Sequence, residues 1–131
     1  MTLDSTALCH HFHHPHRVGR LDEGSFDVGT GWARAERSLD VVRLQLQVRC
    51  HEVVDARFKA HGDAPVIAAG SWVCQWVVGR SLDAVAALRD GQVADALGLP
   101  PLKIHAAVLA VEAARRAAED CRRKASAAFL P

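Results

Sequence analysis

Histidine is the residue type whose spacing most clearly allows chemistry near the start of this sequence. Residues 9 to 16 read CHHFHHPH, and the imidazoles in this stretch are those of His10, His11, His13, His14 and His16. Residues three or four positions apart lie on one face of a helix, so His10 would share a face with His13 or His14. Neutral imidazoles are ligands for zinc and related transition metals, which makes a metal site in this stretch one hypothesis.

Thiol chemistry is a second option, but the four cysteines are scattered along the chain. They are Cys9, Cys50, Cys74 and Cys121, and no two of them form a C-x-x-C pair. Zinc fingers and thioredoxin-like redox motifs need such pairs. A chain of this size without a secretion signal usually keeps its thiols reduced, so we expect no disulfides. We interpret each cysteine as a small packed hydrophobe or a surface thiol.

Motifs for common catalytic mechanisms are not visible in the sequence. No Ser-His-Asp pattern or phosphate-binding loop is evident. The pair Gly29 and Gly31 is too short for the dinucleotide-binding fingerprint. We therefore expect a protein that is not an enzyme.

Length, charge and hydropathy narrow the remaining classes of protein. Of 131 residues, 50% are hydrophobic and 24% charged, which is typical of a globular protein, so we expect residues 1–131 to form a single domain. The net charge of +1 is too small for the positive field that nucleic-acid binding normally requires. The most apolar stretch, residues 66–78, is shorter than the ~20 residues of a membrane span. Because the N-terminus lacks the pattern of a secretion signal, we expect a cytoplasmic protein.

Alternation of apolar and polar residues predicts a three-stranded antiparallel sheet within residues 25–61. Residues 41–49 form one predicted strand, and a second strand follows it. The residues expected to face the core from these two strands are Val42, Leu44, Leu46, Val48, Val54, Ala56, Phe58 and Ala60. The polar residues between them, including Gln45, are expected on a solvent-facing side. A turn around His51 and Glu52 joins these two strands in a hairpin, and residues 26–35 supply the third strand.

Helical patterns lie on either side of the predicted sheet. We expect a short N-terminal helix within residues 1–16. Residues 64–124 are expected to be mainly helical, beginning with an apolar helix and ending with a helix that starts behind Pro101. In that last helix the residues expected to face inward are Ile104, Ala107, Val108, Val111 and Ala118. Residues 125–131 form the predicted tail, and the order of elements predicts an α+β fold with the helices packed on one face of the sheet.

Several stretches, in order, resemble the iron-sulfur cluster assembly scaffolds of the IscU type, which also form the N-terminal domain of NifU. They are His14–Gly19 (HPHRVG), Val28–Gly31 (VGTG), Asp40–Gln45 (DVVRLQ), Val54–Lys59 (VDARFK), Gln75–Leu82 (QWVVGRSL) and Leu97–His105 (LGLPPLKIH). The resemblance covers roughly residues 9–124 and implies the fold of that family. It also places the histidine-rich stretch at the end of a family helix, so a partner-facing or frayed terminus is the simpler interpretation of these histidines.

Members of this family build a transient 2Fe–2S cluster, or hold zinc, on three cysteines assisted by an aspartate and a histidine. At the three positions that match those cysteines, this chain has Ser38, Asp63 and Ala106. Sulfide-bridged iron is held by soft thiolate ligands. The resemblance therefore implies that this chain does not assemble a conventional 2Fe–2S cluster.

The resemblance also brings Asp40, Asp63 and His105 together at one end of the fold. Two carboxylates and an imidazole form a donor set for a single iron or zinc ion, and Ser38 or His61 would lie nearby. A second interpretation needs no metal: Asp40 begins a strand, Asp63 caps the following helix through its side chain, and His105 is a surface residue. The sequence leaves both interpretations open.

A proline-containing segment resembles the loop through which family scaffolds are recognised by a dedicated Hsp70-type chaperone. Its residues are Leu99, Pro100, Pro101, Leu102 and Lys103. Two prolines with apolar neighbours give a stiff, extended segment suited to a groove on a partner. The alternative is that the two prolines only mark the start of the following helix, where prolines are common.

Two functional hypotheses follow from the sequence. The first is an accessory or structural subunit without a cluster, which docks on an iron-sulfur or redox protein complex or on the assembly machinery, such as a cysteine desulfurase or the chaperone. The second is a mononuclear iron or zinc protein, or an iron donor, that uses Asp40, Asp63 and His105. Neither hypothesis involves nucleic acid or a membrane span.

Overall fold

Three strands and five α-helices make up the part of the chain that the computed structural model describes, residues 6–127. In chain order they are α1 (Thr6–His13), β1 (Val28–Arg34), β2 (Val41–Arg49), β3 (Glu52–His61), α2 (Ala64–Val77), α3 (Leu82–Ala87), α4 (Asp90–Leu97) and α5 (Ile104–Ala127). A short 3-10 turn, Pro101–Lys103, precedes α5. The strands form one antiparallel sheet in the order β1-β2-β3. The predicted α+β class with a three-stranded antiparallel sheet is confirmed.

The β2–β3 hairpin contains a tight turn. β2 has the predicted bounds, and the turn consists of Cys50 and His51, so that β3 already begins at Glu52. Both turn residues have positive φ, 52° and 65°, the backbone conformation that matches the twist of a two-residue hairpin. The turn therefore lies one residue earlier than the sequence pattern predicts.

A bulge in this hairpin changes which valine of β3 faces the core. Gln47 pairs with Asp55 across the strands. Val48 pairs with Val53, so Val54 has no partner. Val53 is fully buried, whereas Val54 is 41% exposed. The predicted inward position of Val54 is wrong, because the inserted residue shifts the alternation of faces by one.

The face of the sheet opposite the helices is partly covered by the segment between α1 and β1. In this segment the N–H of Gly19 donates to the carbonyl oxygen of Phe58 on β3. The N–H of Leu21 donates to the side-chain oxygen of Gln45 on β2 at 2.8 Å. The amide nitrogen of Gln45 donates to the Thr30 hydroxyl on β1 at 3.0 Å. Gln45 is only 1% exposed, so its predicted solvent-facing position is wrong: the segment takes the place of water and satisfies its amide.

The helix α5 packs directly on β1 and β2. A Cβ atom on Gly29 would lie 2.2 Å from the carbonyl oxygen of Ala117. A Cβ atom on Gly31 would lie 2.1 Å from the carbonyl oxygen of Ala113. The two glycines of β1 thus allow the backbone of a helix to approach the backbone of a strand. Small residues supply most of the buried positions of α5: Ala106, Ala107, Ala110, Ala113, Ala114, Ala117 and Ala118.

Two of the residues expected to face inward from α5 are partly exposed. Ile104 is 40% and Val108 38% exposed, and Val108 lines a surface cavity. Their predicted inward positions are wrong, because the buried face of α5 begins with Ala106, Ala107 and Ala110, and Ile104 and Val108 lie beside it. The helix also continues to Ala127, so the predicted tail begins later than residue 125.

The N-terminal part differs from the prediction at its boundaries. α1 spans Thr6–His13, inside the predicted residues 1–16. Residues 1–5 of the predicted N-terminal helix lie outside the described residues. The same holds for residues 128–131 of the predicted tail. β1 starts at Val28 rather than at residue 26, and Phe26 is 76% exposed.

The apolar helix α2 lies between the sheet and α1. Pro65 occupies its first turn, and nine of its residues are buried, as the nearly all-round apolar pattern predicts. None of the helices between residues 6 and 127 combines the length and hydropathy that a bilayer-spanning segment requires.

The end of α5 is attached to the chain that enters β1. The ammonium group of Lys124 donates to three backbone carbonyl oxygens, those of Glu23 at 2.6 Å, Ser25 at 3.0 Å and Val28 at 2.8 Å. A cation near the C-terminus of a helix also interacts favourably with the helix dipole. One side chain thereby joins two segments that are distant in sequence.

Candidate functional site

A surface cavity of about 800 Å³ lies at the end of the sheet where β2 begins and β3 ends. The start of α5 closes one side of it, and the β1–β2 connection closes another. The lining residues are Arg34, Ala35, Glu36, Arg37, Ser38, Asp40, Asp63, Lys103, His105, Val108, Leu109 and Glu112. Residues from three distant parts of the sequence thus meet at one opening.

Asp40 and His105 form the closest pair of candidate ligands in this cavity. The Nε2 atom of His105 lies 3.4 Å from Oδ2 of Asp40. The backbone N–H of Asp40 donates to the Ser38 hydroxyl at 3.3 Å, and its carbonyl oxygen accepts from the N–H of Ala35 at 3.0 Å. A Cβ atom on Gly62 would lie 2.8 Å from Oδ1 of Asp40. The absence of a side chain at Gly62 therefore leaves room for this carboxylate.

Asp63 lies at the N-cap position of α2, but its side chain makes no capping hydrogen bond. Its carbonyl oxygen accepts from the N–H groups of Val66 and Ile67. Its carboxylate instead forms an ion pair with Lys103, whose Nζ lies 2.9 Å from Oδ2, while Oδ1 is buried without a hydrogen-bond partner. The predicted side-chain cap is wrong, because the turn before α5 brings a cation within reach of this carboxylate.

The three predicted ligand residues share the cavity but do not converge as a metal site. Asp40, Asp63 and His105 all line it, yet Asp63 is paired with Lys103 rather than with the other two. Between residues 6 and 127, no three His, Cys, Asp or Glu side chains are grouped so that they could hold a metal ion as they stand.

Ser38 and Ala106, the two other positions that match family cysteines, differ in exposure. Ser38 lines the cavity with its hydroxyl close to the start of β2. Ala106 is completely buried in the core and is not among the lining residues. His61, which was expected nearby, ends β3 and is not among the lining residues either.

The proline-containing segment runs into the same cavity. Leu99 is half-buried, Pro100 and Pro101 are exposed, and Leu102 is 90% exposed. Lys103 returns toward the protein and reaches Asp63. Sequence reasoning treated this segment and the acidic residues as separate sites. One signal in the sequence pointed to a shared site. His105, Val108 and Glu112 follow each other at three and four residues, the spacing that places side chains on one face of a helix.

The cysteines lie elsewhere in the fold. No cysteine occurs among the described residues that line the cavity. Cys121 lies about 24 Å along α5 from His105, at ~1.5 Å per residue, and Cys50 lies roughly 30 Å along β2 from Asp40, at ~3.3 Å per residue. Burial raises the pKa of Cys74, and it raises the pKa of Cys121 to about 11. Both buried thiols are therefore protonated near neutral pH.

The fold and the cavity define a class of small α+β domain that presents a polar, open site at one end of a three-stranded sheet. Residues 4–128 match the family model described as the NifU-like N-terminal domain. The chain belongs to this family, which confirms the predicted resemblance.

Named relatives and solved structures agree with this assignment. The chain is 39% identical over 121 residues to "Iron-sulfur cluster assembly scaffold protein IscU" from Azotobacter vinelandii, covering 92% of this chain and 94% of that protein. The IscU of Escherichia coli K12 is 38% identical over 124 residues, covering 94% and 97% respectively. A crystal structure of the N-terminal part of a NifU-like protein from Brucella abortus superposes with a TM-score of 0.71 at 20% identity, covering 95% of each chain. The last comparison concerns the fold alone.

Proposed function

We propose that this protein is a non-catalytic, accessory or structural member of the scaffold family, which docks on a protein complex without building a cluster of its own. The observation that carries the proposal is the composition of the cavity. Its donors are side-chain oxygens and one imidazole, with no thiolate among the lining residues: Glu36, Ser38, Asp40, Asp63, Glu112 and His105. A sulfide-bridged pair of iron ions requires several thiolate or equivalent soft ligands. The donor set does not fit such a cluster.

A docking role is supported by the apolar side chains around the cavity. Leu39 is 85% and Leu102 is 90% exposed, and both neighbour lining residues in sequence. Partly exposed Ile104 and Val108 continue this surface along α5. Exposed apolar residues grouped around a polar opening are typical of a protein-binding surface. The partner we propose is a cytoplasmic iron-sulfur or redox complex, or the assembly machinery, including a cysteine desulfurase or an Hsp70-type chaperone.

Anaerobic reconstitution tests the first half of the proposal. The purified chain is incubated with Fe(II), sulfide and a thiol reductant and is examined by visible absorption and Mössbauer spectroscopy. We expect no stoichiometric diiron centre. The matched variant Ser38→Cys/Asp63→Cys, which places two thiols beside Asp40 and His105 in the cavity, is expected to gain one. A stoichiometric thiolate-bound diiron centre in the unmodified chain would contradict the proposal.

Purification from the native source tests the docking half. We expect the chain to elute with a larger iron-containing complex under gentle conditions. The variant Leu102→Asp should elute as a free protein of unchanged thermal stability, because this side chain contacts solvent. The control Phe26→Asp alters an equally exposed apolar residue at the other end of the sheet and should still co-elute. Recovery of the unmodified chain as a lone monomer would count against docking.

A second candidate function is the binding of a single iron or zinc ion by Asp40, Asp63 and His105. It is favoured by the buried oxygen Oδ1 of Asp63, which has no hydrogen-bond partner and which a cation would satisfy. The Lys103 ammonium occupies the other oxygen of the same carboxylate. The donors therefore fit a divalent ion only once this ion pair opens.

Metal titration of cavity variants tests the second candidate. Lys103→Met should tighten binding of Zn²⁺ or Fe(II), since the competing ammonium is removed, whereas the control Arg37→Met should not. The double variant Asp63→Ala/His105→Ala should lose this binding. Equal binding by the unmodified chain and the double variant would show that the site does not exist.

A further inference from the structure

The histidine-rich stretch contains an imidazole pair that the proposed function does not use. His10 lies on α1, and His16 lies three residues beyond the end of this helix. Their Nε2 atoms are 3.0 Å apart, which is the distance of a hydrogen bond between one ring N–H and the lone pair of the other ring. Both nitrogens therefore point at the same small volume.

The protein holds both members of this pair in place. The backbone N–H of His16 donates to the hydroxyl of Ser71 on α2 at 2.7 Å. The same hydroxyl is 2.7 Å from Nδ1 of His11, a buried residue of α1. Ser71 itself is completely buried. One buried hydroxyl thus connects the helix that carries His10 with the backbone that carries His16.

Two further imidazoles, those of His11 and His14, lie beside the pair formed by His10 and His16. His11 is buried and its Nδ1 is engaged by the Ser71 hydroxyl, so that nitrogen is not free to act as a further ligand. The ring of His14, which lies just beyond the end of α1, is 5.8 Å from that of His10. His14 is exposed, and as the described residues stand it does not form a three-ligand group with the pair.

We propose that His10 and His16 bind a divalent transition metal ion of the zinc class through their Nε2 atoms, at a site distinct from the cavity. Zinc lies ~2.0–2.1 Å from imidazole nitrogen, so two ligands of a tetrahedral ion are about 3.3 Å apart. The rings need to separate by only about 0.3 Å to reach that geometry. The hydrogen between the rings moves to Nδ1 of its own imidazole, so both rings stay neutral while both Nε2 lone pairs become ligands. Water completes the coordination.

Calorimetric titration of the full chain with Zn²⁺ alone tests this site. His10→Ala and His16→Ala should each weaken binding by at least about tenfold, because each removes one of two ligands. One control should bind as the unmodified chain does: His13→Ala removes an imidazole of the same stretch that packs against Phe12 instead. His105→Ala, titrated in parallel, reports any separate binding at the cavity.

Nitrogen NMR of the imidazole rings provides a second readout that a purely structural role would not change. Zn²⁺ should shift the Nε2 resonances of His10 and His16 and leave that of His13 in place. The thermal unfolding temperatures of the variants show that each remains folded. Absence of saturable Zn²⁺ binding, unchanged affinity in both His10→Ala and His16→Ala, or loss of affinity only in His105→Ala would each overturn the proposal.

Discussion

Asp63 shows how one residue serves the fold and the cavity through different atoms. Its backbone carbonyl begins the hydrogen bonds of α2, while its carboxylate is turned away from the helix toward Lys103. Both partners of this ion pair are about one third exposed, so the pair itself contributes little stability, ~1 kcal/mol at most. Its consequence is local: the ammonium neutralises a carboxylate that would otherwise face Asp40 as a like charge.

His11 makes the stability of the protein depend on pH. Burial first, and then the proximity of His16 and His10, lowers its pKa to about 4 in the folded state, against 6.5 in the unfolded chain. Between these values the unfolded state binds more protons than the folded state, so stability falls as the pH falls. The contribution is complete above about pH 6.5 and is lost on acidification toward pH 4. Thermal unfolding between pH 4.5 and 8 measures this slope.

A non-titrating replacement isolates the contribution of this one imidazole. His11→Asn keeps a group that can bond to Ser71, and it should lower the unfolding temperature at pH 8 while flattening its decline between pH 6.5 and 4.5. His13→Asn, at an exposed position, should leave the slope unchanged. If the unfolding temperature of His11→Asn declines with pH as steeply as that of the unmodified chain, the pH dependence comes from other groups.

Between elements, the contact of α5 with β1 depends on the absence of side chains at two positions. A Cβ atom on Gly31 would meet the backbone of α5 at Ala113 and Ala117, at 2.1 and 2.4 Å. Gly31→Ala should therefore displace the helix and lower the free energy of unfolding by about 3 kcal/mol. Urea unfolding monitored by circular dichroism gives this difference.

A second glycine supplies the matched control. Gly91 lies in the first turn of α4, and a Cβ atom there would meet nothing within 4 Å. Gly91→Ala should raise the free energy of unfolding by about 0.5 to 1 kcal/mol, because it restricts only the unfolded chain. Similar changes in the two variants would contradict the close helix–strand contact.

Local patterns predicted the elements better than the contacts between them. The alternation in β2 predicted its bounds, since its side chains face two different surroundings. Val54 and Gln45 were misassigned because their environments depend on a bulge and on a distant segment that no local window contains. The approach of α5 to Gly31 is of the same kind, because it depends on packing between residues about eighty positions apart.

The candidate site was predictable in its members but not in its pairing. The resemblance to the scaffold family placed Asp40, Asp63 and His105 at one end of the fold, and all three line one cavity. It did not indicate Lys103 as the partner of Asp63, because that pair depends on how the turn Pro101–Lys103 folds back. The interpretation of Ser38, Asp63 and Ala106 as altered cluster-ligand positions stays a prediction.

At the scale of the whole molecule, the two buried cysteines report on global unfolding. Cys50 is exposed, whereas Cys74 and Cys121 are buried, and burial raises the pKa of both. Since only the thiolate reacts, iodoacetamide should modify Cys50 first and Cys74 and Cys121 only at the rate at which the protein unfolds. Mass spectrometry of a labelling time course measures these rates.

Cys50→Ser provides the control for this measurement. It should remove the fast modification at position 50 and leave the slow modification of Cys74 and Cys121 unchanged. Modification of Cys121 in the folded protein as fast as that of Cys50 would show that α5 opens locally rather than with the whole core.

The three carbonyl bonds of Lys124 have a further consequence for how the structure opens. Helix ends usually fray independently of the rest of a protein. Here fraying of the last turns of α5 breaks the bonds to Glu23, Ser25 and Val28 together, so the helix end and the entry to β1 should open as one cooperative unit. In native-state hydrogen exchange the amides of both segments should share one opening free energy, and Lys124→Met should separate it into two.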